Sequence, residues 1–177
     1  MLKLDILVLQ FIRHIVGVSK VTDWLVVFFA DYLIYILIAA FIYFLFKLPR
    51  ASYNIKSKIR FFALATLSVI LSRGILTELI RFFFFRLRPF VAFSFSPLIS
   101  VAATEGSFPS GHMALIIPIA LAMFTIDRKK GFWFMVLALL IGIARIAVGV
   151  HYPSDILGGI FVGLLSFFAV KWSLSRK

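Results

Sequence analysis

The chain has 177 residues, of which 63% are hydrophobic and 15% are charged, and its mean hydropathy is +1.09. Soluble domains contain roughly 45–50% apolar and about 25% charged residues. The composition therefore excludes an ordinary water-soluble globular protein. Basic residues outnumber acidic ones by 19 to 7, and without a soluble basic face this excess indicates membrane topology or anionic lipid and no nucleic-acid partner. The absence of cysteine excludes disulfides, thiolate metal sites and cysteine nucleophiles.

The N-terminal segment, from Leu2 to Val18, is too often interrupted for a membrane span. Polar residues break its apolar sequence at Lys3, Asp5, Gln10, Arg13 and His14. This pattern favours an amphipathic helix lying in the membrane interface. It does not fit a signal peptide, because no small-residue cleavage site follows.

Five apolar runs follow, each at or near the roughly 20 helical residues that cross a bilayer. They extend approximately from Trp24 to Phe46, Phe61 to Phe85, Ser110 to Ile126, Phe132 to Val150 and Ser154 to Trp172. The third and the fifth are near the lower length limit. We therefore expect an all-α polytopic membrane helix bundle of five to six helices, folded as one domain over residues 1–177.

The basic residues divide between the two predicted sides of the membrane. Eleven fall in the first connection, the third connection and the C-terminus: Lys47, Arg50, Lys56, Lys58, Arg60, Arg128, Lys129, Lys130, Lys171, Arg176 and Lys177. The positive-inside rule places these in the cytoplasm. The second and fourth connections and the N-terminus then face outward.

An arginine cluster ends the second predicted span. At 100° per residue, Arg81 and Arg88 share one helical face with Arg73, while Arg86 points about the opposite way. Such a stripe can hold a multiply charged anion through forked hydrogen bonds, or its arginines can extend to the lipid headgroups. Arg73 lies near mid-span, so we expect it to face the bundle interior with a partner such as Asp31 or Glu78.

The second cluster is Pro109-Ser110-Gly111-His112, which follows a phenylalanine-rich connection from Pro89 to Pro109. That long connection is either a lid at the headgroup layer or an idle surface segment. Ser110 suits the N-cap of the next helix, and Gly111 lets the backbone approach a ligand. The free amides of the helix start predict an anion site beside His112, although a capped helix with a chance histidine gives the same pattern.

The third cluster is Arg145, then His151 six residues later and Asp155 four residues after that, with a Tyr-Pro turn between. An imidazole with a carboxylate one helical turn away matches a base and the residue that orients it. The alternative is that Asp155 caps the last helix and His151 is a solvated loop residue. All three clusters lie on the same predicted membrane face.

Together the clusters resemble the signature of the type 2 phosphatidic acid phosphatase superfamily, Lys-x6-Arg-Pro, Pro-Ser-Gly-His and Ser-Arg-x5-His-x3-Asp. The chain has Arg81-x6-Arg88-Pro89, Pro109-Ser110-Gly111-His112 and Ala144-Arg145-x5-His151-x3-Asp155. The resemblance covers residues 81 to 155 in order, spacing and chemistry. Its two departures are arginine for lysine at position 81 and alanine for serine at position 144.

The resemblance implies metal-independent hydrolysis of lipid phosphates. His151 would attack phosphorus and become phosphorylated, Asp155 would orient it, and His112 would protonate the leaving oxygen. The phosphoryl oxygens would be held by Arg81, Arg88, Ser110, Gly111 and Arg145. No cofactor is implied, and neither an acidic cluster nor a histidine spacing predicts a metal site.

Among the family's members, small bacterial undecaprenyl diphosphate phosphatases show the most similar Arg-Pro-Phe-Val-Ala and Ser-Phe-Pro-Ser-Gly-His stretches. Undecaprenyl diphosphate is therefore the expected substrate, with lipid A 1-phosphate and phosphatidylglycerophosphate as alternatives that rest on the same residues. Phosphotransfer to another lipid and a non-catalytic lipid-phosphate carrier also stay open. The expected location is the bacterial plasma (inner) membrane, with the site on the outer, periplasmic or extracellular, side; the sequence gives no oligomeric state.

Overall fold

Helices make up the regular structure of the computed structural model, which describes residues 3–48 and 53–176 and has no strand within those ranges. The seven helices are α1 (Lys3–Arg13), α2 (Lys20–Lys47), α3 (Ile55–Phe83), α4 (Pro89–Ala92), α5 (Gly111–Ile126), α6 (Arg128–Ala147) and α7 (Pro153–Ser175). The predicted all-α class is confirmed.

Four helices are long and apolar enough to cross a membrane, namely α2, α3, α6 and α7, and each overlaps a predicted span. The remaining predicted span corresponds to α5, which has only 16 residues and rises about 24 Å, less than the roughly 30 Å of a hydrocarbon core. α5 packs against α3, α6 and α7 and buries most of its side chains. It forms the centre of the bundle, and its exposed residues, Phe124 and Thr125, lie at its C-terminal end.

Two helices begin earlier than predicted because a capping residue precedes a charged first turn. The side chain of Asn54 accepts a hydrogen bond from the Ser57 amide at 2.9 Å, and α3 starts at the next residue. Asp127 in the same way accepts from the Lys130 amide at 3.1 Å and caps α6. The described basic residues of both connections therefore lie on helices, where such caps stabilise the free amides.

The basic segments meet at one end of the bundle. The Tyr53 hydroxyl donates to the carbonyl of Ile126 at 3.4 Å, which joins the first connection to the third. Arg60 donates to the carbonyl of Leu174 at 3.4 Å, which joins the first connection to the C-terminal helix. Two of the eleven basic residues, Arg50 and Lys177, lie outside the described residues.

The second and fourth connections meet at the opposite end. The Phe90 amide donates to the carbonyl of Gly149 at 3.1 Å, and the Ser110 amide donates to the carbonyl of Asp155 at 2.9 Å. Helix α7 approaches α5 closely here, because a Cβ at Gly159 would lie 2.5 Å from the Ser110 carbonyl oxygen. The starts of α5 and α7 are thereby held side by side.

Helix α1 is amphipathic, as the sequence predicts, and packs against α6 and α7. Its outer face exposes Leu4, Leu7 and Phe11. Its inner face buries Leu9 and, unexpectedly, the carboxylate of Asp5, which is 4% exposed.

Candidate active site

A cavity of about 200 Å³ opens at the end of the bundle away from the basic segments. Its lining includes four arginines and two histidines from different parts of the chain: Arg73, Arg81, Arg88, Arg145, His112 and His151. Gly111 also lines it, whereas Ser110 and Asp155 are fully buried next to lining residues. The structure thus brings the three predicted clusters together.

Arg88 reaches the cavity by a different route from the predicted helical face. Helix α3 ends at Phe83, and Arg88 is the N-cap residue of α4 with φ −67° and ψ 152°. The expectation that Arg88 continues the helical stripe of Arg81 is therefore wrong. The residue before a proline disfavours the α conformation, so Pro89 carried the signal for this helix end.

Carbonyl groups and one carboxylate fix the Arg88 guanidinium. Its Nε donates to the carbonyl of Glu105 at 3.2 Å and its Nη1 to the carbonyl of Val150 at 3.4 Å. Its Nη2 lies 3.0 Å from Oε2 of Glu105. Burial lowers the pKa of Arg88, and the nearby Arg81 acts in the same direction, while Glu105 opposes both.

Arg81 and Arg73 come from α3 and share the carboxylate of Glu78. Arg73 forms an ion pair with Glu78, and Nη1 of Arg81 lies 3.6 Å from the same carboxylate. The expected pairing of Arg73 with Glu78 is confirmed by this contact, and Arg73 lines the cavity. The expected interior placement is wrong, because the two side chains are 38% and 52% exposed. Arg81 also donates from Nη2 to the carbonyl of Pro109 at 3.1 Å, which ties α3 to the start of α5.

Two π-helical segments carry charged residues to the cavity region. One, Phe28–Tyr32, interrupts α2 and contains Asp31; the other, Ile70–Leu76, interrupts α3 and contains Arg73. Such bulges often mark functional sites. Nη1 of Arg145, on the last turn of α6, lies 3.5 Å from Oδ1 of Asp31, so the first bulge supplies the partner of a cavity arginine.

Gly111 permits a contact that the sequence did not indicate. A Cβ at this position would lie 2.7 Å from Nε of Arg73. The missing side chain therefore lets an arginine lie against the start of α5. Ser110 is the N-cap residue as predicted, but its side chain makes no capping hydrogen bond, and its buried Oγ has no partner among the residues that the structure describes.

His151 follows a turn that needs a glycine. Gly149 has φ +85°, a conformation that residues with a Cβ rarely adopt. The turn places the His151 side chain, 1% exposed, with Nδ1 3.5 Å from Oδ2 of Asp155. The contact joins an imidazole to the carboxylate that is predicted to orient it. The distance of 3.5 Å is longer than that of a formed hydrogen bond, and contacts of this kind in active sites often shorten only when substrate binds.

Burial dominates the protonation of His151. It lowers the pKa of the imidazole to about 4, with Arg145 acting in the same direction and Asp155 against it. His151 is therefore neutral at physiological pH and has a free nitrogen lone pair, as a nucleophile requires.

Sequence reasoning missed the residues behind Asp155. The Tyr152 amide donates to Oδ2 of Asp155 at 2.8 Å, and Nη1 of Arg86 donates to Oδ1 at 2.6 Å. Arg86 follows the end of α3, so it lies on no face of that helix and the predicted opposite placement does not apply; it binds the carboxylate that neighbours the histidine. A second carboxylate on Arg86, that of Asp5, is 81 residues away in the chain, and no local pattern could have indicated it.

The phenylalanine-rich connection packs inward at two points. The Arg13 guanidinium lies 3.6 Å above the ring centroid of Phe95. Phe108 packs against Gly158 closely enough that a Cβ there would collide with its ring. Within the described part of the chain, no group of three or more histidine, aspartate or glutamate side chains is arranged to hold a metal ion.

Comparisons with known proteins identify a family and several relatives. A model of the PAP2 superfamily matches residues 62–177. The undecaprenyl-diphosphatase BcrC of Bacillus subtilis (strain 168) is 40% identical over 94 residues, which are 53% of this chain and 48% of that protein. Phosphatidylglycerophosphatase B of the same organism is 37% identical over 109 residues, covering 55% of this chain and 50% of the relative.

The chain therefore spans about half the length of the curated relatives that it matches. Among solved structures, Aquifex aeolicus LpxE superposes with a TM-score of 0.73 over 96% of this chain and 95% of that one, at 24% identity. At that identity the likeness concerns the fold. It extends over nearly the whole bundle, including the helices that precede residue 62.

Proposed function

The chain belongs to the PAP2 superfamily, and we propose that it removes phosphate from a membrane lipid through a phosphohistidine intermediate, without a metal ion. The observation that carries the proposal is the cavity that His151 shares with His112 and four arginines, with Asp155 next to the imidazole. Phosphoryl transfer depends mainly on positioning and on stabilising charge at the equatorial oxygens, and this cavity offers both.

The reaction has two steps. In the first, Nε2 of His151 attacks phosphorus, the bond to the lipid oxygen breaks, and His112 gives that oxygen a proton. In the second, His112 takes a proton from water, whose oxygen attacks the phosphohistidine and releases inorganic phosphate. Asp155 orients the imidazole and stabilises its positive charge in between.

The phosphate is held by positive charge from three directions. Arg81, Arg88 and Arg145 donate to its oxygens, and arginine can do so with two parallel bonds. The Oγ of Ser110, which has no partner among the described residues, and the amide of Gly111 complete the set, because the first amides of a helix have no partner within it.

A lipid substrate fits the apolar side of the cavity. Its lining includes Ile34 and Ile38 of α2 and Leu115 of α5 besides the charged residues. A second cavity, of about 210 Å³ and almost wholly apolar, shares Ile38 and Leu115 with the first and continues between α2 and α3. We place the start of the substrate's tail there, since the two cavities have these lining residues in common.

Undecaprenyl diphosphate is the proposed substrate. The basis is the sequence similarity to a protein named undecaprenyl-diphosphatase, together with the Arg-Pro-Phe-Val-Ala and Ser-Phe-Pro-Ser-Gly-His stretches. The proposed location is the bacterial plasma membrane with the cavity on the outer side, because the clustered basic residues lie at the other end.

The test is phosphate release by the purified chain in detergent micelles containing EDTA. Undecaprenyl diphosphate, phosphatidylglycerophosphate and lipid A 1-phosphate are assayed side by side, with substrate carrying labelled phosphorus to trap the phosphoprotein. We expect turnover on the first lipid and an acid-labile label that is lost in His151→Ala. His14, the third histidine, is exposed and lies away from the cavity, so His14→Ala serves as the matched control with wild-type turnover.

Three results would contradict the proposal or part of it. Wild-type turnover in both His151→Ala and Asp155→Ala would exclude the phosphohistidine route. Lipid binding without release of phosphate would favour a carrier. Labelled phosphate on an added lipid acceptor, in place of free phosphate, would identify phosphotransfer.

A further inference from the structure

Arg86 lies between two buried carboxylates. Its Nη1 donates to Oδ1 of Asp155 at 2.6 Å and to the hydroxyl of Ser154 at 2.7 Å. Its Nη2 donates to Oδ2 of Asp5 at 2.8 Å. The guanidinium also lies 4.0 Å above the ring centroid of Tyr152, so the stacked ring and the two carboxylates fix its plane.

Asp5 is held by α7 as well as by Arg86. Its Oδ1 accepts from the Ser154 amide at 2.9 Å, and its Oδ2 accepts from the Ser154 hydroxyl at 2.7 Å. Burial alone would raise the pKa of Asp5, but the hydrogen bonds from Ser154 and Arg86 outweigh burial and lower it. The carboxylate is therefore ionised, and it caps the start of the helix that carries Asp155.

We propose that Arg86 and Asp5 are positioning residues for the phosphoryl-transfer site, which makes helix α1 part of the active-site support. The inference rests on the proposed function, because it concerns the histidine that this function makes the nucleophile. Asp155 uses Oδ1 for Arg86 and Oδ2 for the Tyr152 amide and His151. Arg86 thereby fixes which oxygen faces the imidazole, and Asp5 fixes Arg86.

Position along the chain makes this role unexpected. Asp5 lies far before residues 62–177, which match the family model. Helix α1 brings it in while exposing Leu4, Leu7 and Phe11 on the outer face. The same helix that can lie in the membrane interface therefore holds a carboxylate that Arg86 connects by two hydrogen bonds to Asp155, the neighbour of the histidine.

The charges predict opposite effects for the two residues. Removing Asp5 leaves the positive charge of Arg86 balanced by Asp155 alone, which weakens the negative potential at His151. Removing Arg86 leaves the charge of Asp155 uncompensated, which strengthens the negative potential at His151. The other groups that face His151 stay the same in both cases: Arg145 from α6, Arg88 before α4 and His112 from α5.

The experiment compares Asp5→Asn and Arg86→Gln with the wild type by kcat, KM and the pH profile of kcat/KM. Displacement of a supporting group can cost up to about 100-fold in rate, so we expect kcat to fall roughly 10- to 100-fold with KM within about twofold. The acid limb of the profile should move by about half a pH unit or more, to lower pH in Asp5→Asn and to higher pH in Arg86→Gln.

Two further variants separate positioning from folding. Arg13→Gln removes another contact of α1, the one with Phe95, and should leave the pH profile in place. Arg86→Lys keeps the charge, but a lysine cannot bind both carboxylates as the planar guanidinium does. Its kcat should therefore fall, whereas the acid limb of its pH profile should shift less from the wild-type position than that of Arg86→Gln.

Outcomes for the two proposals are distinguishable. Lower kcat with an unmoved acid limb, or limbs that move in the same direction in Asp5→Asn and Arg86→Gln, would overturn the positioning role while leaving the phosphatase proposal intact. A wild-type protein inactive on every lipid phosphate would overturn both.

Discussion

Replacing Glu105 by glutamine should tighten phosphate binding. Oε2 of Glu105 lies 3.0 Å from Nη2 of Arg88, an arginine that we assign to the phosphate. A phosphate must therefore compete with this carboxylate for the guanidinium. Arg88 keeps its place in Glu105→Gln, because the carbonyl groups of residue 105 and of Val150 still accept from it.

The exposure of the two partners sets the size of the effect. The Arg88 side chain is 3% exposed, but that of Glu105 is 57% exposed. A pair with one partner in solvent contributes about 0.2–1 kcal/mol, well below the 3–5 kcal/mol cost of breaking a fully buried pair. We expect KM, and the inhibition constant of inorganic phosphate, to fall by about 1.4- to 5-fold.

The assay is phosphate release in micelles at low and high salt, with inorganic phosphate as competitive inhibitor. Asp127→Asn, at the other end of the bundle, makes the same change in net charge and should leave both constants unchanged. The difference should shrink at high salt because screening weakens exposed charges. An equal shift in Asp127→Asn, or a higher KM in Glu105→Gln, would refute the reasoning.

Three further results are expected. Thr66→Trp, in the apolar cavity between α2 and α3, should raise KM for a long-tailed lipid phosphate but not for a short-chain one. The control is Leu67→Trp, because Leu67 is exposed on the same helix outside that cavity. An equal rise in KM for both substrates in Thr66→Trp would exclude a tail site. Gly149→Ala should lower the melting temperature and kcat. A residue with a Cβ in the left-handed backbone conformation costs about 1–2 kcal/mol, and the new methyl group would collide with Arg13 and Phe95. Unchanged values would show that the turn tolerates a side chain. The pKa of His151 is lowered to about 4, so as the pH falls the imidazole of the unfolded chain binds a proton before that of the folded chain. The free energy of unfolding should therefore be highest above about pH 6.5 and should decrease towards pH 4. Melting temperatures in detergent check this, and the same pH dependence in His151→Gln would contradict it.

Much of the fold and site could be predicted from local sequence. The apolar runs gave the main helices because an element that crosses lipid must satisfy its backbone internally. The spacing from Arg145 to Asp155 gave the histidine and its carboxylate, since both lie within one turn-and-helix unit. The end of α3 was missed because apolar residues continue through Phe85, although Pro89 disfavours a helix at the residue before it.

Contacts between residues that lie far apart in the chain could not be predicted from the sequence pattern around each residue. Asp5 looked like a polar interruption of an interfacial helix, and only its contact with Ser154, 149 residues away, makes it a buried anion. Arg73 against Gly111 is similar, because hydropathy does not reveal a π-helical segment. In both cases the missing information was which charged groups satisfy each other inside the bundle.

Arginine at position 81, where the superfamily usually has lysine, follows from what this side chain must do besides meeting phosphate. Its Nη2 donates to the carbonyl of Pro109, its Nη1 lies near Glu78, and its buried Nε has no partner among the described residues. A guanidinium has five donors in a fixed plane, so it can hold the start of α5 and still present donors to the cavity. A lysine ammonium carries its three donors on a single nitrogen atom, so it could make these contacts together only if all the acceptors lay around that one atom.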